Sequence, residues 1–482
     1  PNGGYDGPDD QWMPDNAVAL AEIKTNYAKR LNFRINTYLE ATLLKGLTLK
    51  TELSTDYNLN KTKTYQPDYK FGVRESSQRD GAWYKNDTKY WSWRNILTYN
   101  GTIAEKHNIN VMAGQEMSQS YWENFAVSNS GYLSNSVTDI IAGETTGANI
   151  NLTQGNQDGY KLYSYFGRAL YNYADRYLLT ATLRCDGSNK FAEGHRWGWF
   201  PSAALAWRAS QENFLKGNEV INNLKFRLGW GATGNNATQN AFPSNILYTG
   251  NQNYPFGNSM QPAIYLMQIA NRNLKWETTY QSNLGIDFGI LNNRINGSID
   301  LYNKDTRDLL LYADVPPSIG FSQVQQNVGS INNKGLEITL NATILPGKKN
   351  RLKWTSSFNI AFNKNEITAL SDGQLSRKAG IRYPNIPDLY ICKVGSPLSE
   401  MYGYVYDGVY QYEDFNEVAP GVFQLKPEIP NNTDERANIK PGDPKLKDIN
   451  GDGKVTAEDQ TVIGHGLPIH TGGFTNNFEW KG

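Results

Sequence analysis

Apolar and polar residues alternate with a period of two along most of this chain. Between residues 223 and 234, Leu224, Phe226, Leu228, Trp230 and Ala232 share one face, and Lys225, Arg227, Gly229, Gly231 and Thr233 share the other. Strand side chains point to alternate sides, so this pattern is a strand with two unlike faces. A slip of one residue would exchange the faces, so the register is well specified. Leu336, Ile338, Leu340, Ala342 and Ile344 repeat the pattern, as do Leu352, Trp354, Phe358, Ile360 and Phe362. So do Tyr177, Leu179, Ala181, Leu183 and Cys185; Leu284, Ile286, Phe288 and Ile290; and Leu31, Phe33, Ile35 and Leu39. The periodicity predicts about thirteen strands, near 30–44, 46–59, 88–102, 108–126, 160–173, 176–190, 197–209, 223–235, 275–290, 293–310, 333–345, 351–364 and 469–481. A single short helical turn is expected at Ser210–Leu215, with a plain surface turn as the alternative.

The connections sort by length. Tight turns fall at Lys45-Gly46, Glu105–Asn108, Ala174-Asp175, Leu291–Asn293 and Pro346–Asn350, and long polar loops at 61–87, 127–159, 236–274 and 366–468. Short turns on one rim and long loops on the other mark an all-β, transmembrane, antiparallel up-and-down β-barrel, whereas a soluble sandwich has no reason to segregate its loops. Many of the strands exceed the ~5–6 residues usual in soluble sheets and suit membrane spans of ~9–11 tilted residues with extensions. In lipid, a slip exposing Lys225 and Arg227 would cost ~2–4 kcal/mol each near the midplane. Bacterial single-chain barrels have even strand numbers. The last expected strand stops at Trp480-Lys481-Gly482. An open edge in lipid is not viable, so residues 1–482 are expected to be part of a larger barrel.

Composition changes this picture little. Across 482 residues, 47 basic and 47 acidic side chains give a formal net charge of zero, which gives no support for nucleic-acid binding. Mean hydropathy is −0.60, low because only alternate residues of a barrel strand meet lipid. No run of about eighteen apolar residues exists, so a membrane helix is not expected. Thirty Tyr and 12 Trp suit aromatic rings at two membrane interfaces, or aromatic-rich β structure, or a sugar-binding surface. Cys185 and Cys392 are too few for a disulfide framework. No charged-then-apolar leader opens the sequence.

A set of ordered motifs adds a family. Arg184-Cys185-Asp186-Gly187-Ser188 is followed by Phe200-Pro201-Ser202, Trp207, Glu212-Asn213-Phe214-Leu215 and Leu228-Gly229-Trp230-Gly231-Ala232-Thr233-Gly234-Asn235. Asn273–Glu277, Tyr302-Asn303-Lys304, Asn333–Glu337, Gly408–Gln411 and Pro441-Gly442-Asp443 come after them in order. This resembles the barrel of the SusC/RagA family of TonB-dependent outer-membrane transporters, most specifically over residues 160–482. The resemblance implies a 22-stranded barrel with an N-terminal plug, of which this sequence would hold about thirteen strands and no plug. It also implies import of oligosaccharides or peptides beneath a SusD-like surface lipoprotein, energised through TonB, in the outer membrane and without enzymatic activity. Two alternatives stand beside it: a TonB-dependent siderophore or cobalamin receptor, and a secreted carbohydrate-binding β protein with a dockerin-like module.

One stretch carries metal chemistry. Residues 448–459 place Asp448, Asn450 and Asp452 at loop positions one, three and five, Gly453 at six, Lys454 at seven and Asp459 at twelve. That is the spacing of an EF-hand-type calcium loop, with Lys454 offering its carbonyl and Asp in place of the terminal Glu. It also resembles a dockerin loop. The alternative is an Asp/Asn/Gly turn without metal. A structural Ca2+ here would stiffen the external loop 366–468, while Glu458 is expected to point away. His465 and His470 lie five apart and His107 sits in a tight turn; neither makes a strong metal signal. The loop aromatics Trp83, Tyr84, Tyr248, Tyr254 and Phe256 are expected either to stack on sugar rings or to pack the loops together. No carboxylate pair suggests hydrolysis and no Gly-Lys-Ser/Thr phosphate loop exists.

Overall fold

A computed structural model describes residues 7–10, 16–144, 151–157, 159–238, 242–347, 352–380 and 388–480. Thirteen long strands run in order through one antiparallel sheet. They are β1 (Thr25–Leu44), β2 (Leu47–Gln66), β3 (Asp80–Ile103), β4 (His107–Ser130), β5 (Lys161–Tyr173), β6 (Tyr177–Ser188) and β7 (Trp197–Arg208), followed by β8 (Ile221–Asn235), β9 (Glu277–Ile290), β10 (Ile295–Arg307), β11 (Ser330–Pro346), β12 (Lys353–Ala369) and β13 (His470–Glu479). Each predicted strand is present. A short strand, Asn151–Gln157, pairs with β4 beside this path. Among the described residues no helix is long and apolar enough to cross a membrane. One short helix, α1 (Ala17–Ile23), precedes β1. Its first turn is capped by the Asn16 side chain, which accepts from the Val18 and Ala19 amides.

The tight turns form without glycine at several points. Ala174 and Asp175 both take positive φ, 53° and 56°, the conformation a two-residue hairpin demands. Asn172 holds them there, accepting from the Asp175 amide at 3.0 Å. Gly46 is different. Its φ is +81° and an added Cβ would sit 2.2 Å from the Asn100 carbonyl oxygen, so both backbone conformation and space require glycine.

Several boundaries differ from expectation. The loop expected at 61–87 is largely strand, since β2 runs to Gln66 and β3 starts at Asp80, joined through a small hairpin, Tyr69–Phe71 with Arg74–Ser76. Trp83 and Tyr84 are therefore strand residues. The expected helical turn is a 3-10 turn at Ala209–Gln211 with no side-chain cap bond, followed by a turn through Glu212–Lys216. Loop 236–274 contains a hairpin, Leu247–Phe256 with Ser259–Gln268. Loop 366–468 begins inside β12 and carries small sheets, among them Phe415–Ala419 with Val422–Leu425 and a four-stranded group that includes Thr461–His465.

Internal contacts divide the chain into two compact units, one of residues 1–170, 182–199 and 236–274, the other of 171–181, 200–235 and 275–482. In the second unit, register sorts side chains into rows of one character. Phe226, Ile286, Ile299, Ile338 and Ile360 stand across from one another on five successive strands. Leu228, Leu284, Leu301, Leu336 and Phe362 form the next apolar row. Between them, on the other face, lies the row Arg227, Gly285, Asp300, Glu337 and Ala361. The apolar rows are not covered: Leu228 is 54% exposed and Leu301 48%.

In the first unit the strands are longer, and their rows change character along the way. Leu49, Leu97 and Ala113 form an apolar row, and Leu53, Trp93 and Met117 another. On the same face toward the long-loop end, Leu59 stands opposite Asp87 and Glu123, and Tyr57 opposite Lys89 and Tyr121. Asp87 is buried between Lys85 at 3.0 Å and Lys89 at 3.9 Å. The 24 residues of β3 and of β4 reach about 80 Å at ~3.3 Å per residue, well past the ~30 Å of a hydrocarbon core. The charged end is the part that clears it.

Candidate transport surface and calcium-type loop

The polar face of the second unit is a charge network rather than a row of isolated ions. Arg227 donates to both Asp287 oxygens at 2.8 and 2.9 Å and to Asp300 at 2.8 Å. Lys225 adds to Asp287 at 3.7 Å. Opposite charges on neighbouring strands stabilise pairing, and bidentate geometry fixes the arginine fork. Gly285 makes room, because a Cβ there would fall 2.7 Å from the Arg227 guanidinium carbon. The predicted register therefore holds: Lys225 and Arg227 lie on one face and Leu228 and Trp230 on the other.

The first unit carries a comparable polar face, with Arg94 donating to Glu116 at 3.1 Å and Arg184 to Asp186 at 2.8 Å. Its apolar face holds a groove lined by Ala113, Gly167, Leu183, Cys185, Trp197 and Trp199. Cys185 shares its strand face with exposed Leu183, as the alternation predicts, and is buried there. The Tyr165 and Trp197 rings, stacked at 6.0 Å, line the same groove. Both cysteines are free.

A rim contact escaped the sequence reading. Glu212 accepts from Tyr177 Oη at 2.7 Å, Trp207 Nε1 at 3.2 Å and Arg176 at 3.1 Å. The Tyr177 and Trp207 bonds hold the Glu212 carboxyl below the usual carboxylate range. Glu212 belongs to a recognisable motif, but a motif does not reveal which strands converge on it.

Beyond β12 the long connection builds a core of its own. Tyr410, Phe415, Leu425 and Ile439 are buried together, with Phe423 and Ile429 against them. The Tyr410 hydroxyl donates to the Pro430 carbonyl at 2.8 Å, and burial pushes its pKa up to about 12. The sequence from 448 to 459 is tied to this core: the Val455 amide donates to Asn431 Oδ1 at 2.8 Å, and Val455 itself is buried.

That sequence is wound as a tight loop. Asp448 accepts from the Gly451 and Gly453 amides at 2.6 and 2.7 Å, Asn450 from the Asp452 amide at 3.0 Å and Asp452 from the Lys454 amide at 2.8 Å. Gly453 takes φ +83°, the sharp bend expected at position six. Asp459 is fully buried. Its Oδ1 accepts from the Ile449 and Asn450 amides, and its Oδ2 from the Thr456 amide and hydroxyl. These amide bonds, Thr456 first, hold the Asp459 carboxyl below its ordinary range. Among the described residues no three Asp, Glu, His or Cys side chains converge as metal ligands. The side-chain oxygens at positions one, three and five, like those of the closing carboxylate, thus accept from backbone amides of the same turn. His470 packs against Phe362, with ring centroids 5.9 Å apart. Tyr248, Tyr254 and Phe256 are exposed on the 247–268 hairpin.

Two continuous unlike faces, exposed apolar rows and rims of unequal loops define an outer-membrane β-barrel. Residues 1–428 match the family model described as "TonB dependent receptor-like, beta-barrel". The chain is 32% identical to TonB-dependent receptor P39 of Formosa agariphila, covering 98% of this chain and 46% of that protein. It is 34% identical to TonB-dependent receptor SusC of Bacteroides thetaiotaomicron, over 84% of this chain and 41% of that one. Among solved structures, one described as "Structure of the RagAB peptide transporter" superposes with a TM-score of 0.80 at 23% identity, over 97% of this chain and 48% of that chain; this shows the shared fold. The chain belongs to the TonB-dependent receptor β-barrel family, with relatives of SusC type. It spans about half the length of the curated relatives it matches.

Proposed function

We propose that this chain forms the wall of an outer-membrane importer for oligosaccharides or peptides, acting with a SusD-like surface lipoprotein and energised through TonB. The observation that carries this reading is the pairing of faces. Leu228, Ile299 and Leu301 face outward in exposed apolar rows, while Lys225, Arg227, Asp287 and Asp300 form a hydrated, charge-matched lining on the other side. A wall of that kind suits hydrophilic cargo passing through hydrocarbon. The likeness to a structure described as a peptide transporter supports the peptide class, and the oligosaccharide class follows from the resemblance to the SusC/RagA family. Uptake of labelled oligosaccharides and peptides by cells carrying the intact receptor, with TonB present or deleted, tests the reading. Uptake unchanged by loss of TonB would sink it, and absence of any co-purifying lipoprotein would remove the partner.

A structural Ca2+ at residues 448–459 is a second, separable reading. Asp448, Asn450, Asp452 and the Lys454 carbonyl would hold it, Asp459 closing the site only by exchanging amide partners for the ion, and its chemistry would be that of a cross-link stiffening the long loop. Support comes from the spacing and from the turn at Gly453. Thermal unfolding of the loop with Ca2+ or chelator decides: a midpoint indifferent to both rejects the ion, whatever Asp448→Ala costs through the lost Gly451 and Gly453 bonds.

A further inference from the structure

One patch on the polar face of the first unit holds more positive charge than it neutralises. Glu52, Arg94 and Glu116 stand across from one another on β2, β3 and β4. Glu52 is satisfied by Lys50 at 3.1 Å. Arg94 donates to Glu116 at 3.1 Å, and Arg184 approaches the same carboxylate at 3.9 Å. Arg184 also donates to Asp186 and to Ser164 Oγ, both at 2.8 Å, and lies over the Phe166 ring at 5.4 Å. These contacts lock Arg94 and Arg184 in place.

They leave donors unmatched. Arg94 Nε is buried with no acceptor. Arg168 of β5 is exposed on the same face and makes no ion pair or hydrogen bond among the described residues. It lines a concavity of about 470 Å³ together with Arg94, Glu116, Phe166, Thr182 and Arg184. Three guanidiniums (Arg94, Arg168 and Arg184) meet two carboxylates there, Glu116 and Asp186, so one positive charge remains. Ile96, Met112 and Phe166 in the same lining lower the local dielectric and strengthen attraction for an anion. A guanidinium fork matches the geometry of a planar or tetrahedral oxyanion.

The geometry points to an oxyanion site at Arg168, taking a carboxylate or sulfate group. It rests on the reading of this polar face as the lining of an import passage. The group belongs either to an acidic cargo, such as a uronate-containing or sulfated oligosaccharide or an acidic peptide, or to a carboxylate elsewhere in the full-length receptor. The two sources share the chemistry and separate on test.

The full-length receptor in detergent is treated with phenylglyoxal, and modification at Arg168 is followed by mass spectrometry. Sodium sulfate is compared with sodium chloride at equal ionic strength, and exposed Arg30 serves as the reference. Sulfate slowing modification of Arg168 by about an order of magnitude, with Arg30 unaffected, establishes a site for a diffusible anion. Resistance of Arg168 in chloride alone, with Arg168→Gln but not Arg168→Lys lowering the melting temperature by several degrees, assigns the anion to the receptor itself. Arg168 reacting as fast as Arg30 in both salts overturns the site. Uptake plays no part in this readout, so a failed transport assay and a failed anion site are told apart.

Discussion

Strands β8 to β12 and the connection between β12 and β13 lie in one compact unit and bury apolar residues in opposite directions. Along the strands, Leu228, Leu284 and Leu301 stand exposed in rows while Arg227 turns to the other side. In the connection, Tyr410 is 1% exposed and Phe415 5%, packed inward as in a small soluble domain. The difference teaches which solvent each region meets. A sheet whose polar side is hydrated has no core to fill and hands its apolar side to lipid, where side chains need not interlock. The loop region packs its apolar side chains against one another, closing on itself to keep them from water. Stability is accordingly local in the loop and distributed through pairing in the wall.

The largest effect that could break this contrast is removal of a loop-core ring. Phe415→Ala should cost about 3–5 kcal/mol in the loop region, raising protease cleavage and amide exchange between residues 405 and 446 while the wall keeps its resistance to SDS without heating. If the wall melts with the loop, the two regions are not energetically separate. Next comes a charge on an apolar row. Ile299→Arg should destabilise the wall by ~2–4 kcal/mol in lipid, read from urea unfolding in vesicles, whereas Thr339→Arg on the polar face should stay within about 0.5 kcal/mol of the parent. Equal costs would show that the apolar rows do not meet hydrocarbon. Gly46→Ala should cost ~1–3 kcal/mol from positive φ alone, with the Asn100 carbonyl adding to it, and should slow assembly of the β1–β2 hairpin.

The smallest effect is a pH dependence of the loop. The Asp459 carboxyl titrates below its unfolded value near ~3.9 because amides of Thr456, Ile449 and Asn450 bind its charged form. A depressed folded value means the contribution to stability is complete above the unfolded value and is lost as pH falls through the folded one. Exchange protection of the 448–459 amides should therefore fall on acidification below about pH 4, and Asp459→Asn should remove that dependence. The apolar rows of the wall hold no carboxylate, but its polar rows do, with Asp287 and Asp300 on Arg227, so the Asp459→Asn comparison is what assigns the dependence to the loop.

Much of the wall was legible because alternation has a period of two and register follows from it. All thirteen strands, the face of Arg227 and the alternation of short and long connections came from local pattern. The strand ends did not. Trp83 and Tyr84 read as loop because their stretch is charged, yet β3 runs through them, since pairing to β2 and β4 continues past the apolar belt. Glu212 as an anchor, Cys185 as a buried thiol and Arg168 as an uncompensated charge were invisible, because each depends on strands brought together from distant sequence. The loop core was missed as well. Tyr410, Phe415, Leu425 and Ile439 have no common period and meet through turns.

Sequence alone determined the pattern of faces, the family and the oxygen spacing of the 448–459 loop. Those are properties of neighbours along the chain, and side-chain direction in a strand is fixed by the backbone. Tertiary structure decided which charges pair, which stay unmatched and where Asp459 directs its oxygens. Those outcomes hang on distances across strands and turns that no residue's immediate neighbours encode.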